Sequence, residues 1–477
     1  MSTVAKKKVI VLGAGVTGLS AAYRLSKNAD IQVDVIEKEL LTGGVCRSFT
    51  DGDFILDHGP HKFYTLIDGI LDELTAIMGA DLLERDKTQT LYLGGKYFSF
   101  PLKMSEMVLK FPPTKSAEVL LSYALQILKN RFAPKQATTY EEFIVERFGR
   151  GLYQQIFEPM ARKVFGAPEG LDRKLAEVRV SSPGLMAVIK QVLFKSKVDR
   201  TVSAPMFHYP KYGYGMIPQR LQEKSQANGA TYHLGAKVLK IETVNGQASA
   251  VVMEDRSGKT VRLECDYLIY TIPLSLLDKL IMTEIPEGIR EAARSISYRH
   301  SIIYYYLLKS EPVLPSIWVF CPEAKFRFGR LSEMVKFSPH TAPPGHTSLM
   351  VDFTCEPNDS VWSMDDAAMG EMLLKQLEPM GLFQRNQILK SFSKRFYNLY
   401  PTYSVGYHRH LAAIRSLERQ MNNLFFIGRL GDFNYNNADQ CLDMGFRAAD
   451  HIIHQGGVDK GWQELRASQF EQYKIVD

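Results

Sequence analysis

Apolar residues run unbroken through 8–12 (KVIVL). They recur at helical spacing through 17–27, where Leu19, Ala22 and Leu25 share a face, and residues 32–37 (QVDVIE) return to a strand. A continuous apolar run suits a strand covered on both faces of a parallel sheet, and recurrence every three to four residues marks an amphipathic helix. The order predicts a βαβ unit. From residue 66 the period turns helical: Ile67, Ile70, Leu71, Leu74, Ile77 and Met78 make one stripe. Residues 104–131 and 139–165 also read as helices, the latter opened by a Thr139/Glu142 capping box. Pro112, Pro113, Pro134, Pro159 and Pro168 punctuate the stretch, so a largely helical insert is expected over about 66–200. Strand signals return in 232–272 as three runs separated by Asn245–Gly246 and Ser257–Gly258, the pattern of a meander, and again at 301–308 and 348–354. The C-terminal part reads as strand, loop and helix from Leu424 onwards.

The chain has 477 residues, 45% hydrophobic and 23% charged, which excludes a wholly disordered, collagen-like or coiled-coil protein. That length predicts two or three domains. Net charge is +6, but residues 101–200 hold 17 Lys plus Arg against 10 Asp plus Glu, so this one window carries all of the surplus. A protein coated in base for nucleic acid would spread its charge, so no nucleic-acid partner is expected. A local basic surface or anion site fits better. Within the window, residues 184–197 read as a basic amphipathic helix suited to peripheral membrane contact. Five scattered cysteines without a C-x-x-C pair argue against a disulfide framework or zinc site. With no signal peptide and no apolar run of 18 residues, a cytoplasmic location is expected, peripheral to a membrane at most. No metal site is expected.

Gly13-Ala14-Gly15-Val16-Thr17-Gly18 is a G-x-G-x-x-G fingerprint. It follows a strand, opens a helix, and precedes by 19 residues an acid, Glu37, at the end of the second strand. The glycines allow a tight turn and close approach to a pyrophosphate, the helix N-terminus supplies amide donors, and Glu37 accepts from ribose hydroxyls. A carboxylate there disfavours a 2′-phosphate. NAD and FAD share this fingerprint.

Gly43, Gly44, Arg47 and Ser48 follow, then Asp57-His58-Gly59-Pro60-His61. This resembles the amine oxidase group of flavoproteins. The resemblance implies an α/β fold: a Rossmann-type, glutathione-reductase-like FAD-binding domain, a mostly helical insert and a mixed-sheet substrate domain. It implies FAD as cofactor, with Gly43, Gly44, Arg47, Ser48, Gly59 and His61 near it, and Gly428 and Arg429 on the segment that returns to the flavin. Val238 is counted with the cofactor-binding candidates. The expected division is 1–65, 205–295 and 396–477 for FAD, 66–204 for the helical insert and 296–395 for the substrate sheet.

Within the group, segments 94–101, 140–168 and 209–216 are similar to the UDP-galactopyranose mutase and protoporphyrinogen oxidase branches, nearest the mutases. Carried over residue by residue, this resemblance implies His61 at the flavin face, Arg179 and Arg330 on a substrate diphosphate, Trp318 near substrate, and Tyr400 and Tyr435 as diphosphate-binding phenols. The chain departs from the mutase pattern at Phe165, usually Trp, and at Asn434, usually Arg or Lys. The implied function is a flavoenzyme acting on a nucleotide-diphosphate sugar or related anionic small molecule, by mutase-type or redox chemistry. The alternative is an oxidase or desaturase of an amine, porphyrinogen or isoprenoid. A helical insert of this size also offers a surface for oligomerisation.

Overall fold

The computed structural model describes residues 6–100, 102, 106, 109–132, 136–180, 205–281 and 285–475. The amphipathic segment 184–197 lies outside them. Lys7–Leu12, whose last four residues are buried, is the centre of a five-stranded parallel sheet. The order is Leu424–Phe426, Tyr267–Tyr270, Lys7–Leu12, Ile31–Glu37 and Thr231–Leu234. The crossover helix Val16–Ser26 packs against Ala438–His454. Gly445 makes this approach feasible, since a Cβ there would run into Ser20 and the Thr17 carbonyl. The predicted βαβ unit is present, and strand ends from distant parts of the chain meet at the carboxyl edge of one sheet.

The run predicted as one meander divides between two sheets. Lys237–Val244, Gln247–Glu254 and Thr260–Glu264 form the antiparallel meander, whereas Thr231–Leu234 and Tyr267–Tyr270 belong to the parallel sheet. Asn245 and Gly246 both take positive φ, 50° and 75°, the geometry of a tight hairpin turn.

A second large sheet has seven strands: Ile388–Pro401, Tyr298–Leu308, Thr347–Cys355, Arg330–Glu333, Trp318–Phe320, Gln89–Leu93 and Lys96–Ser99, in that order. All neighbours are antiparallel except Trp318–Phe320 with Gln89–Leu93. Here the sequence reading of 66–200 as a helical stretch needs correction. Leu82–Asp86, Gln89–Leu93 and Lys96–Ser99 are strands, the first paired with Met206–Pro210.

Beside Ile70–Met78 and Arg173–Arg179, the stretch contains the longer run of helices Pro113–Phe132, Tyr140–Leu152 and Glu158–Phe165. The expected helix over 104–131 is divided: Glu106, Leu109 and Lys110 are helical, the helix breaks at Phe111 and Pro112, and the next one starts at Pro113, because a proline fits a first helical turn but not an interior. The Thr139/Glu142 capping box is formed. Gly149, at φ 78°, and Gly151 let Pro113–Phe132 lie close: a Cβ at either would sit 2.9 Å from the Tyr123 Cα or 3.0 Å from the Val119 Cα. Ser116, Val119 and Tyr123 are the buried positions of that helix.

Candidate active site

The three fingerprint glycines do different work. Gly13 has φ 97°, and a Cβ there would lie 2.6 Å from the Thr271 hydroxyl, which itself donates to the Leu12 carbonyl. A Cβ on Gly18 would strike the Gly13 carbonyl. Gly15 is neither strained nor crowded: φ is −72°, ψ is 175°, and no atom lies within 4 Å of where its Cβ would be. It precedes helix Val16–Ser26, whose N-terminus has no side-chain cap. The first-turn amides and their partial positive charge are therefore left for an external acceptor.

Around this turn the other cofactor candidates converge. Glu37 accepts from Ala14 N at 2.8 Å on one oxygen and from Glu39 N at 2.9 Å on the other, which leaves lone pairs on both for ribose hydroxyls. Gly43, at φ 104°, donates to the Ala14 carbonyl at 2.6 Å and bridges to Gly15, and Gly44 follows at φ 56°. Arg47 braces this loop, with Nε on the Gly44 carbonyl and Nη1 on the Leu41 carbonyl, both at 3.1 Å. Val238 lies on the strand that leaves the end of Ile31–Glu37, where Ala236 N donates to the Glu37 carbonyl at 2.9 Å. Gly428, at φ 84°, brings the returning segment against Thr17; a Cβ would be 2.7 Å from the Thr17 hydroxyl.

Arg429 is suited to a nucleotide cofactor. Nη1 donates to the Asn436 carbonyl at 3.1 Å, but Nε and Nη2 are buried with no hydrogen-bond partner among the described residues. A buried guanidinium with idle donors is costly unless something accepts from it. An uncapped helix start, an open cradle at Gly15, an available Glu37 and an under-satisfied Arg429 together fit FAD.

Ser48 meets two protein partners. Its hydroxyl donates to Asp57 Oδ1 at 2.6 Å and accepts from Gly215 N at 2.7 Å. Asp57, which the sequence did not single out as a site residue, is fully buried and also accepts from Tyr209 OH at 2.5 Å and Tyr214 N at 3.0 Å. Burial pushes its carboxyl up to about 6, against the pull of those donors. Its carbonyl accepts from Tyr305 OH at 2.7 Å, so this one acid ties the Ser48–Asp57 hairpin to segment 209–215 and the large sheet. Asp439, in the first turn of Ala438–His454, is a second buried acid the sequence did not mark; burial raises it to about 7, and Thr65 and Lys62 lie beside it. Sequence alone offered no signal that either acid would be buried.

The substrate candidates also gather. Gly59, at φ 129°, turns the chain so that His61 stacks on Tyr214, with centroids 4.9 Å apart. Burial lowers the His61 pKa to about 3, with Arg330 and then Arg429 adding to the effect, so the imidazole is neutral at pH 7. Arg330 Nε binds Asp352 at 2.8 Å across adjacent strands. Burial opposes the Arg330 charge, but Asp352 and then Tyr400 outweigh it and raise its pKa, with Arg179 acting against them. Tyr400 and Tyr435 stack at 5.6 Å; Arg429 lies 5.0 and 4.5 Å from their centroids, and Arg179 lies 5.1 Å from that of Tyr435. Three arginines thus surround two stacked phenols next to a neutral histidine.

Trp318 stands at the margin of this group. It is 4% exposed, stacks on Phe337 at 5.7 Å and lies under Lys62. Its neighbour Phe320 pairs with Arg330, so the two share a sheet face. Phe165 meets Tyr435 edge-on at 5.8 Å, while Asn434 is engaged elsewhere, accepting from Tyr403 OH at 3.3 Å and donating to the Phe470 carbonyl at 3.0 Å. Among the described residues no group of His, Cys, Asp and Glu is placed to hold a metal, and no helix is long and apolar enough to cross a membrane.

The profile of the flavin containing amine oxidoreductase family matches residues 16–453, and the chain belongs to that family. The family is flavin-containing, with FAD as the cofactor, and the fold is mixed α/β. In structure it is similar to reduced UDP-galactopyranose mutase, with a TM-score of 0.82 at 20% identity over 99% of this chain and 98% of that one. In sequence it is similar to coproporphyrinogen III oxidase of Bacillus subtilis, 20% identical over 94% of this chain and 98% of the relative. It is 25% identical to phytoene desaturase of Fusarium fujikuroi over 52% of this chain, and spans about half, 47%, of that relative's length.

Proposed function

We propose that this enzyme acts on a nucleotide-diphosphate sugar or a related anionic substrate, and that a Rossmann-type, glutathione-reductase-like domain built from 1–65, 205–295 and 396–477 holds its FAD. The remaining parts, a mostly helical 66–204 and a sheet-rich 296–395, close the substrate side. The observation that carries the reading is the gathering of Arg179, Arg330 and Arg429 around Tyr400 and Tyr435. Planar, permanently charged guanidinium groups suit a diphosphate, and phenol hydroxyls add donors. The structural likeness to UDP-galactopyranose mutase supports the same choice.

The Gly13–Gly18 turn, Glu37, the Gly43–Gly44 loop, Arg47 and Gly428–Arg429 would hold the cofactor. When bound, FAD supplies a centre able to accept hydride or, reduced, to act as a nucleophile. The chain's own part is electrostatic. Arg179 and Arg330 hold a diphosphate and stabilise the charge that grows on it as it leaves. His61, being neutral, lines the site without adding a fourth cation beside them.

A second reading, oxidation of a porphyrinogen, draws support from the likeness to coproporphyrinogen III oxidase, since carboxylates would meet the same cations. An amine is disfavoured, because a cationic substrate would face three arginines.

UDP is expected to raise the thermal midpoint of the holoenzyme, as any ligand of the folded state must. In Arg330→Ala the loss of one charge-assisted contact, about 1.5–3 kcal/mol, should weaken UDP binding at least about tenfold while flavin absorbance stays. No shift with UDP, together with oxygen consumption on a porphyrinogen, would favour the second reading. An unchanged UDP affinity in the variant would remove Arg330 from the site.

A further inference from the structure

Helix Pro113–Phe132 has two apolar faces, and only one is used. Ser116, Val119 and Tyr123 are buried, packed toward Tyr140–Leu152 through the close approach that Gly149 and Gly151 permit. Ser122 accepts from Gly151 N at 2.8 Å, and Asn130 donates to the Glu146 carbonyl at 2.8 Å, so the helix is fastened along its length. On the opposite side Leu121, Leu125, Leu128 and Phe132 follow at steps of four, three and four residues and form one line. All four are exposed, Leu121 at 62%, Leu125 at 57%, Leu128 at 53% and Phe132 at 79%. Leu109, just before Pro113–Phe132, is 82% exposed. Scattered exposed leucines need no explanation, but a contiguous row facing water does.

The charge beside the row names the partner. Lys129 and Arg131 stand in the last turn and make no ion pair among the described residues. Lys115 sits in the first turn, and Glu118 is the helix's single acid. The window 101–200 carries a surplus of seven positive charges. In a two-fold pair of copies this face would meet itself, like charge against like. An anionic lipid surface offers the opposite charge and an apolar layer at matching depth. We propose that Pro113–Phe132 is a membrane-docking helix, lying in the plane of an anionic bilayer with Leu121, Leu125, Leu128 and Phe132 inserted among the acyl chains and Lys129 and Arg131 at the headgroups. The inference is independent of the substrate reading, and it moves the membrane contact from 184–197 to a helix that the structure describes.

Co-sedimentation of the holoenzyme with phosphatidylglycerol/phosphatidylcholine vesicles tests it, with pure phosphatidylcholine vesicles as reference. The wild type should sediment with the anionic vesicles and much less with the neutral ones, and added salt should release it. Substituting L121Q, L125Q, L128Q and F132Q together should cut partitioning at least about tenfold, and K129E with R131E likewise, with flavin content unchanged in both. All of these changes are on exposed positions, so retained flavin reports retained fold. A wild type that stays in the supernatant would overturn the proposal, as would glutamine variants that sediment equally well. So would a wild-type dimer, seen by light scattering, that the glutamine substitutions turn into monomer, because the face would then belong to a second copy.

Discussion

Gly15→Val is expected to give a folded, colourless protein. Most glycines in such turns are held by backbone conformation or by crowding, and Gly13 shows both, with φ 97° and a Cβ position 2.6 Å from Thr271. Gly15 shows neither. Its φ and ψ, −72° and 175°, lie in the extended region that valine prefers, and its Cβ would meet no protein atom within 4 Å. The protein alone gives no reason for a glycine there; a pyrophosphate against the uncapped helix start does. The apoprotein melting temperature of Gly15→Val should match that of the wild-type apoprotein, while FAD affinity falls at least about a hundredfold, or about 2.7 kcal/mol. Gly13→Ala should behave differently, losing about 1–3 kcal/mol of stability through strain before any effect on the cofactor. Melting curves of both apoproteins, with flavin absorbance after reconstitution, separate the two. A yellow Gly15→Val protein with wild-type flavin content would mean that the cofactor does not approach this turn.

That contrast also shows what the sequence made legible. The fingerprint and Glu37 could be read because their constraints are local: a turn, a helix start and a strand end within one βαβ unit. The resemblance to the mutases brought Arg179, Arg330, Tyr400 and Tyr435 forward, and they do gather near His61, although they come from a helix end, two strands and a loop far apart in the chain. The strands at 82–99 were missed despite a local sign, since Gly94 and Gly95, both at positive φ, turn between Gln89–Leu93 and Lys96–Ser99. What makes them a sheet is non-local: Gln89–Leu93 finds its other partner in Trp318–Phe320. Asp57 was hidden for a related reason. An acid after a short strand looks like any surface acid until Tyr209, Tyr214 and Ser48 close over it, and those donors come from two separate segments.

Arg466→Met is expected to cost about 3–5 kcal/mol of stability, the range for breaking a buried ion pair from one side. Arg466 is 3% exposed. It donates to both Glu418 oxygens, at 2.9 and 3.1 Å, to the Phe426 carbonyl at 2.8 Å, and to Asp432. Glu418 and Asp432 are fully buried, and the second local cation, Arg415, reaches only Asp432 of the two, at 2.9 Å. The two buried acids face two arginines, of which Arg415 also holds the exposed Glu471; methionine preserves volume but leaves Glu418 without a cation. The loss reaches the site, because Glu418 also accepts from Phe426 N at 3.0 Å and Asp432 N donates to the Gly428 carbonyl, so the cluster holds both ends of the segment that presents Arg429. Adding Glu418→Gln to Arg466→Met should recover part of the loss, since the amide removes the stranded charge. The deficit should also depend on pH. Burial raises the Glu418 pKa while Arg466 opposes it, so deleting Arg466 raises it further. An acid with a raised folded-state pKa contributes stability that is present below its unfolded value, about 4.3, and lost as pH rises through the folded value. The gap between variant and wild-type melting temperatures should therefore be widest near neutral pH and narrow as the pH is lowered toward that value. A gap that stays constant across this range would show that Arg466 acts through packing and not through its charge.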